Sequence, residues 1–111
     1  MDAKMERSSC IVIFITAGST QEAHKIAEVL LVHRVAACVN IVPEVHSHFW
    51  WKGHLDSGKE SLLVVKTKAS LLDAVVKLVK EVHSYDVPEI IALPITGGNQ
   101  DYMKWIGKEV R

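Results

Sequence analysis

The chain has 111 residues, enough for one domain that buries its own core and too few for two. Thirteen Lys and Arg balance thirteen Asp and Glu, so no net field draws the protein to nucleic acid or to an anionic membrane surface. Cys10 and Cys38 are too few for a disulfide framework and suit a thiol-reducing compartment. No apolar run approaches a membrane span, and the polar start lacks the apolar core of a signal peptide, so the expected location is the cytoplasm.

Residues 1–9 are expected to be a flexible N-terminus, with 10–111 forming the single domain. Ile11-Val12-Ile13-Phe14-Ile15-Thr16 is a β-branched and aromatic run, the mark of a central strand buried on both faces. Ala17-Gly18 turns the chain. Ser19 with Glu22 then forms a capping box that opens a helix striped with Ala23, Ile26, Ala27, Leu30 and Leu31 and ending near His33-Arg34.

The stretch from Ala36 to Trp51 reads as one long strand, bent but not ended by Pro43. Its odd positions Ala37, Val39, Ile41, Val45, Phe49 and Trp51 are expected on an apolar face. Cys38, Asn40, Glu44, His46 and His48 fall on the other. At roughly 3.3 Å per residue this run spans about 50 Å, against a radius of gyration near 13 Å for a compact domain of about this size. One end must project beyond the core, and Phe49, Trp50 and Trp51 at its tip are expected to contact another copy of the chain.

A turn rich in Gly and Asp is expected from Gly53 to Gly58, then a second strand apolar on both faces from Ser61 to Thr67. Ser70 with Asp73 resembles another capping box, starting a helix that carries Leu72, Val75, Val76, Val79 and Val82. After a break at His83 to Pro88 comes a short strand over Ile90 to Leu93, stopped by Pro94. Asn99 or Asp101 starts a final helix with Tyr102, Met103, Trp105 and Ile106.

The first six elements make two βαβ halves joined by a hairpin: an α+β, ferredoxin-like βαββαβ sandwich with an extended hairpin and an added C-terminal helix. Right-handed crossovers put the first and third strands in the centre and the other two on opposite edges. Both helices are expected to end at the same edge of the sheet, bringing Cys38 and the stretch His83 to Glu89 to one end of the domain. Three interstrand steps, roughly 14 Å, would still separate them. A site using both would then lie between subunits.

Ala36-Ala37-Cys38-Val39-Asn40, Trp50-Trp51-Lys52-Gly53, Lys66-Thr67, His83-Ser84-Tyr85-Asp86-Val87-Pro88-Glu89 and Tyr102 to Ile106 together resemble the CutA divalent-cation-tolerance proteins over about residues 10 to 107. The resemblance implies a stable homotrimer with a protomer similar to the PII signalling proteins, copper binding, and a part in tolerance of divalent metals; no enzymatic activity is implied. By position, Cys38, His83, Tyr85 and Glu89 correspond to that family's cluster at the subunit interface. Where the family usually has His-Pro-Tyr-Glu, this chain has His83-Ser84-Tyr85-Asp86. The loop loses a fixed φ, so His83 is expected to be less rigidly held.

The thiol, imidazole and carboxylate of Cys38, His83 and Glu89 form a donor set suited to copper, or to another divalent cation such as zinc. On residue types alone, Cys38 reads equally as a small buried hydrophobe and His83 as a helix C-terminal residue favourable to the dipole. His46 and His48 could share a metal or simply face water. Tyr85 and Lys66 are the residues of a second reading: a PII-like module whose intersubunit cleft takes a small anionic ligand and whose trimer reports it to a protein partner. In a third, Cys38 is a nucleophile activated by His83.

Overall fold

The computed structural model describes residue 6 and residues 9–111, so the expectation for residues 1–9 falls largely outside it. Four strands, β1 (Cys10–Ala17), β2 (Cys38–Trp51), β3 (His54–Lys68) and β4 (Ile90–Pro94), form one antiparallel sheet in the order β2-β3-β1-β4. The two halves of the chain therefore interleave as expected, with β1 and β3 central. Helices α1 (Thr20–Val32) and α2 (Leu72–Val82) cover one face, and α3 (Gln100–Glu109) follows β4.

The core lies between that face and the two helices. The odd residues Ile11, Ile13, Ile15, Leu63 and Val65 of the central strands are fully buried against Ala23, Ile26 and Leu30 of α1 and Val75 and Val79 of α2. Each buried side chain of this size contributes about 1.5–3 kcal/mol. The expectation that the central strands are buried on both faces is corrected: Val12, Phe14, Leu62, Val64 and Lys66, on the opposite face, are only partly covered, because both helices lie on the other side.

Capping follows the sequence in part. Ser19 Oγ accepts the Glu22 N–H at 3.1 Å, and Asn99 Oδ1 accepts the Asp101 N–H at 3.0 Å. The box expected at Ser70 does not form: a 3₁₀ turn over Ala69–Leu71 leads into α2, and its N-cap residue Leu71 makes no side-chain cap bond.

The long strand behaves as a projecting ribbon. The last pair between β1 and β3 is Ala17↔Ser61, whereas β2 and β3 remain paired out to Trp51↔His54. Beyond Val45↔Glu60 the hairpin has no third strand. The molecule measures 42 × 36 × 24 Å with a radius of gyration of 14.6 Å, larger than the roughly 13 Å of a compact domain of similar size. The expected turn over Gly53 to Gly58 is instead a two-residue turn. Lys52 and Gly53 both have positive φ, 50° and 82°, the left-handed pair a tight hairpin requires.

At Pro43 the strand bends without ending, and it also changes face. Val42 pairs with Leu62 and Val45 with Glu60, so Pro43 and Glu44 together oppose Ser61. The bulge is tied down where Ser61 Oγ–H donates to the Pro43 carbonyl at 2.7 Å. One extra residue inverts the alternation beyond it. The single apolar face expected along β2 is therefore split. Val39 and Ile41 face the helices, whereas Phe49 and Trp51 pair with Asp56 and His54 on the open side, and Trp50 pairs with Leu55 on the other.

Candidate functional site

The segment between α2 and β4 is held from three sides. His83 is buried, with a side-chain exposure of 0%, and both of its ring nitrogens are in use. Nε2–H donates to the Thr16 carbonyl at 2.7 Å, just past the last β1–β4 pair, and Nδ1 accepts the Tyr85 N–H at 3.0 Å. A carbonyl only accepts and an amide N–H only donates, so the imidazole is the neutral Nε2–H tautomer. His83 is thus the C-terminal cap residue of α2, as expected, but it is buried and held by two hydrogen bonds, not loosely placed.

Glu22 supplies what the serine at position 84 allows. Its Oε1 accepts the Gly18 N–H at 2.9 Å and the Ser84 hydroxyl at 3.0 Å, and its Oε2 accepts the Ser84 N–H at 2.6 Å. Burial pushes the Glu22 carboxyl up, but these donors outweigh it and hold the group below its usual value. Read along the sequence, Glu22 signals only a helix start. Its tie to residue 84 has no local signature.

Tyr85 leans on His83, with ring centroids 4.7 Å apart, and its hydroxyl donates to Glu60 Oε2 at 2.9 Å. Burial, the hydrogen bond to Glu60 and the charges of Glu60 and Glu22 push the phenol up to about 12. It is a fixed, neutral donor at neutral pH. Around it opens a groove of about 620 Å³ between the hairpin and the 83–89 segment, lined by Thr16, Ser47, Phe49, Trp51, Glu60 and Glu89 among others.

Cys38 lies elsewhere. It pairs with Lys66, which pairs with Val12 on β1, four residues along the strand from the Thr16 carbonyl that holds His83. That is about 13 Å along the strand plus two interstrand steps. The expectation that Cys38 and His83–Glu89 share one end of the domain is corrected: α1 returns the chain to the Cys10 end, whereas α2 runs the opposite way, from Lys68 toward Thr16. His83 and Glu89 are brought together around Thr16; Cys38 is not. His83 therefore cannot activate the Cys38 thiol within a protomer.

Around Cys38, Lys66 Nζ stands 3.8 Å from Sγ and also contacts Asn40 Oδ1. Tyr102 of α3 reaches the same spot; burial, and then its hydrogen bond to Cys38 and that group's charge, raise its phenol above the ordinary value. Lys66 is six residues from Glu60 on β3, about 20 Å, so Lys66 and Tyr85 do not share a cleft within one protomer. His46 pairs with Glu44 at 3.1 Å and borders the groove with His48. Among the described residues, no three His, Cys, Asp or Glu side chains cluster closely enough to hold a metal ion.

Comparison with known proteins identifies the architecture. Residues 11–109 match the model of the CutA1 divalent ion tolerance protein family. The chain belongs to the CutA1 family. The rice protein CutA 1, chloroplastic, is 43% identical over 113 aligned positions, covering 98% of this chain and 64% of its own length. The divalent-cation tolerance protein CutA of Thermus thermophilus is 44% identical, covering 86% of this chain and 92% of its own. This chain spans less than two thirds of the length of the two plant CutA relatives, 64% in rice and 62% in Arabidopsis thaliana.

The crystal structure of CutA1 from Oryza sativa superposes with a TM-score of 0.90 at 42% identity, covering 94% of this chain and 97% of that one. The structure described as the periplasmic divalent cation tolerance protein CutA from Archaeoglobus fulgidus gives 0.89 at 40%, covering 92% and 99%. The CutA1 fold expected from the sequence is thereby shown.

Proposed function

We propose that this CutA1 chain acts in tolerance of divalent cations as a homotrimer that binds copper, or another divalent cation such as zinc. Membership of a family described by divalent ion tolerance carries the functional half of the reading. The half-covered open face and the exposed Trp50 and Leu55, 71% and 70% accessible, support assembly. Trp50 and Leu55 share one face of the hairpin, with Phe49 and Trp51 on the other, and we assign these residues the contact with a second copy. Two free cysteines favour the cytoplasm, although relatives carry chloroplastic and periplasmic descriptions. No catalytic role is part of the reading.

Cys38, His83 and Glu89 do not fit a metal within one protomer. The thiol is at the far end of the sheet, and the imidazole has no free lone pair. A site on all three requires the Cys38 of one copy beside the 83–89 segment of another, with Nδ1 released from the Tyr85 N–H. Titration of metal-free protein with Cu(I) and Cu(II), wild type beside Cys38→Ser and His83→Ala, tests this with the oligomer's mass followed throughout. Stoichiometric binding lost in both variants at unchanged mass supports the shared site. Equal binding by all three proteins removes it and moves copper to histidines such as His46 and His48.

The PII-like alternative with an anionic ligand is less well supported. Glu60 and Glu89 line the groove, and Lys66 is outside it.

A further inference from the structure

The hairpin of β2 and β3 can close in two registers, and its turn does not select the one observed. Val45 faces Glu60 and Trp51 faces His54, with Pro43 and Glu44 bulged against Ser61 and a two-residue turn at Lys52-Gly53. Without the bulge, the alignment Val42↔Leu62 would continue as His48↔Asp56 and Trp50↔His54, closed by a three-residue loop over Trp51, Lys52 and Gly53. Such a loop takes a left-handed glycine at its third position, where Gly53 already stands with φ 82°. The two-residue turn instead forces Lys52, which carries a Cβ, into that region at φ 50°. Local turn chemistry favours the register that is not adopted.

What opposes the slip lies in the body of the domain. Ser61 is 1% exposed, and its Oγ–H donates to the Pro43 carbonyl at 2.7 Å. Thr20 Oγ1 lies 3.2 Å from Ser61 Oγ and donates to the same carbonyl at 3.5 Å. Ser61 is the last residue of β3 paired with β1, opposite Ala17, so its hydroxyl is held by the core and does not follow the hairpin. The slipped register would also set Glu44 opposite Glu60, a like-charge pair that salt screens. We propose that Ser61 is the positioning residue that selects the hairpin's register and, through it, the face on which Trp50 stands.

The choice decides which residues the projecting tip offers. In the observed register Trp50 and Leu55 are partners on one face, with Phe49 and Trp51 on the other. In the slipped one Phe49 would stand opposite Leu55, and Trp50 would turn to the open side. A single buried hydroxyl at the base of the ribbon thus sets the pattern at its far end. The consequence for assembly rests on the hairpin contact assigned above; the register itself is a property of one chain and does not.

Disulfide trapping in the full chain carrying Cys10→Ser and Cys38→Ser tests the proposal, at high salt so that the Glu44–Glu60 repulsion is screened. His48→Cys with Ser57→Cys reports the observed register, and Ser47→Cys with Ser57→Cys, which point to opposite faces in it, report the slipped one. Ser61→Ala is expected to raise the ratio of slipped to observed bridge about threefold to tenfold. Thr20→Val, at an exposed position, should shift it the same way by less. Lys52→Asn gives the two-residue turn its preferred sequence and should restore the observed pairing in Ser61→Ala. An unchanged ratio in both hydroxyl variants would overturn the proposal. So would a shift that Lys52→Asn does not reverse, since that marks a general loosening of the hairpin. A shifted register at unchanged assembly mass supports the role of Ser61 and removes the hairpin from the assembly contact instead. Circular dichroism confirms that each variant is folded.

Discussion

Ser84 donates both of its polar hydrogens to one carboxylate: its N–H to Glu22 Oε2 at 2.6 Å and its hydroxyl to Glu22 Oε1 at 3.0 Å. Neither bond is open to a proline at that position, which has no N–H and no hydroxyl. The segment that carries His83 and Tyr85 is thus fixed to the start of α1 by hydrogen bonds instead of by a restrained φ.

This gives a double-mutant cycle. Glu22→Ala leaves the Gly18 and Ser84 N–H groups without acceptors and should destabilise the fold by about 1–3 kcal/mol in urea unfolding. His83 has φ −80° and ψ 142°, a conformation that a following proline accepts. Ser84→Pro should therefore fold, and in its background Glu22→Ala should cost distinctly less. Equal costs in both backgrounds would show that the two residues are not coupled.

Acid should act through the same carboxylate. The Glu22 carboxyl is held below its ordinary value in the folded state, so its contribution is fully present above the unfolded value and is lost as pH falls through the lowered one. Wild type should lose stability more steeply than Glu22→Gln below about pH 4.5, where unfolded glutamate takes up its proton. Parallel acid limbs in unfolding experiments across that range would count against the assignment.

Tyr85 offers a spectroscopic check at the other end of the scale. With its phenol raised to about 12, ionisation should appear late in an alkaline absorbance titration. Glu60→Gln removes the negative partner and should move the transition down toward 10, the model value for tyrosine. Because the folded form favours the protonated phenol, its contribution is present below 10 and is lost as the pH rises toward 12. A transition unmoved by Glu60→Gln would dissociate Tyr85 from Glu60.

The assembly contact can be tested without touching the groove. Trp50→Ser with Leu55→Ser removes two exposed apolar side chains from one face of the hairpin and leaves Phe49 and Trp51 in place. Native mass spectrometry should show a shift from trimer toward monomer, with helix content retained. A proposed trimer that survives the double change would have its contacts on the open face instead.

Much of the architecture was legible along the chain because its signals are local. Hydrophobic period, caps at Ser19 and Asn99, and a β-strand run too long for the core gave the element order, and crossover handedness then led to β2-β3-β1-β4. The resemblance carried by the stretches around Cys38, Trp50-Trp51, Lys66-Thr67, His83 to Glu89 and Tyr102 to Ile106 pointed to the family that the comparisons show.

The candidate site was legible only as a set of residues. One extra residue at Pro43-Glu44 reverses which face every later side chain of β2 takes, and no composition rule reveals a bulge before its partner strand is in register. The separation of Cys38 from His83 follows from α1 and α2 running in opposite directions beneath the sheet. The Glu22–Ser84 tie joins positions 62 residues apart. Local propensity and period are written into neighbouring residues, so the sequence determined the elements and their order. Which side chains meet depends on register, strand face and chain direction, which exist only once distant segments have paired, and the tertiary structure alone decided them.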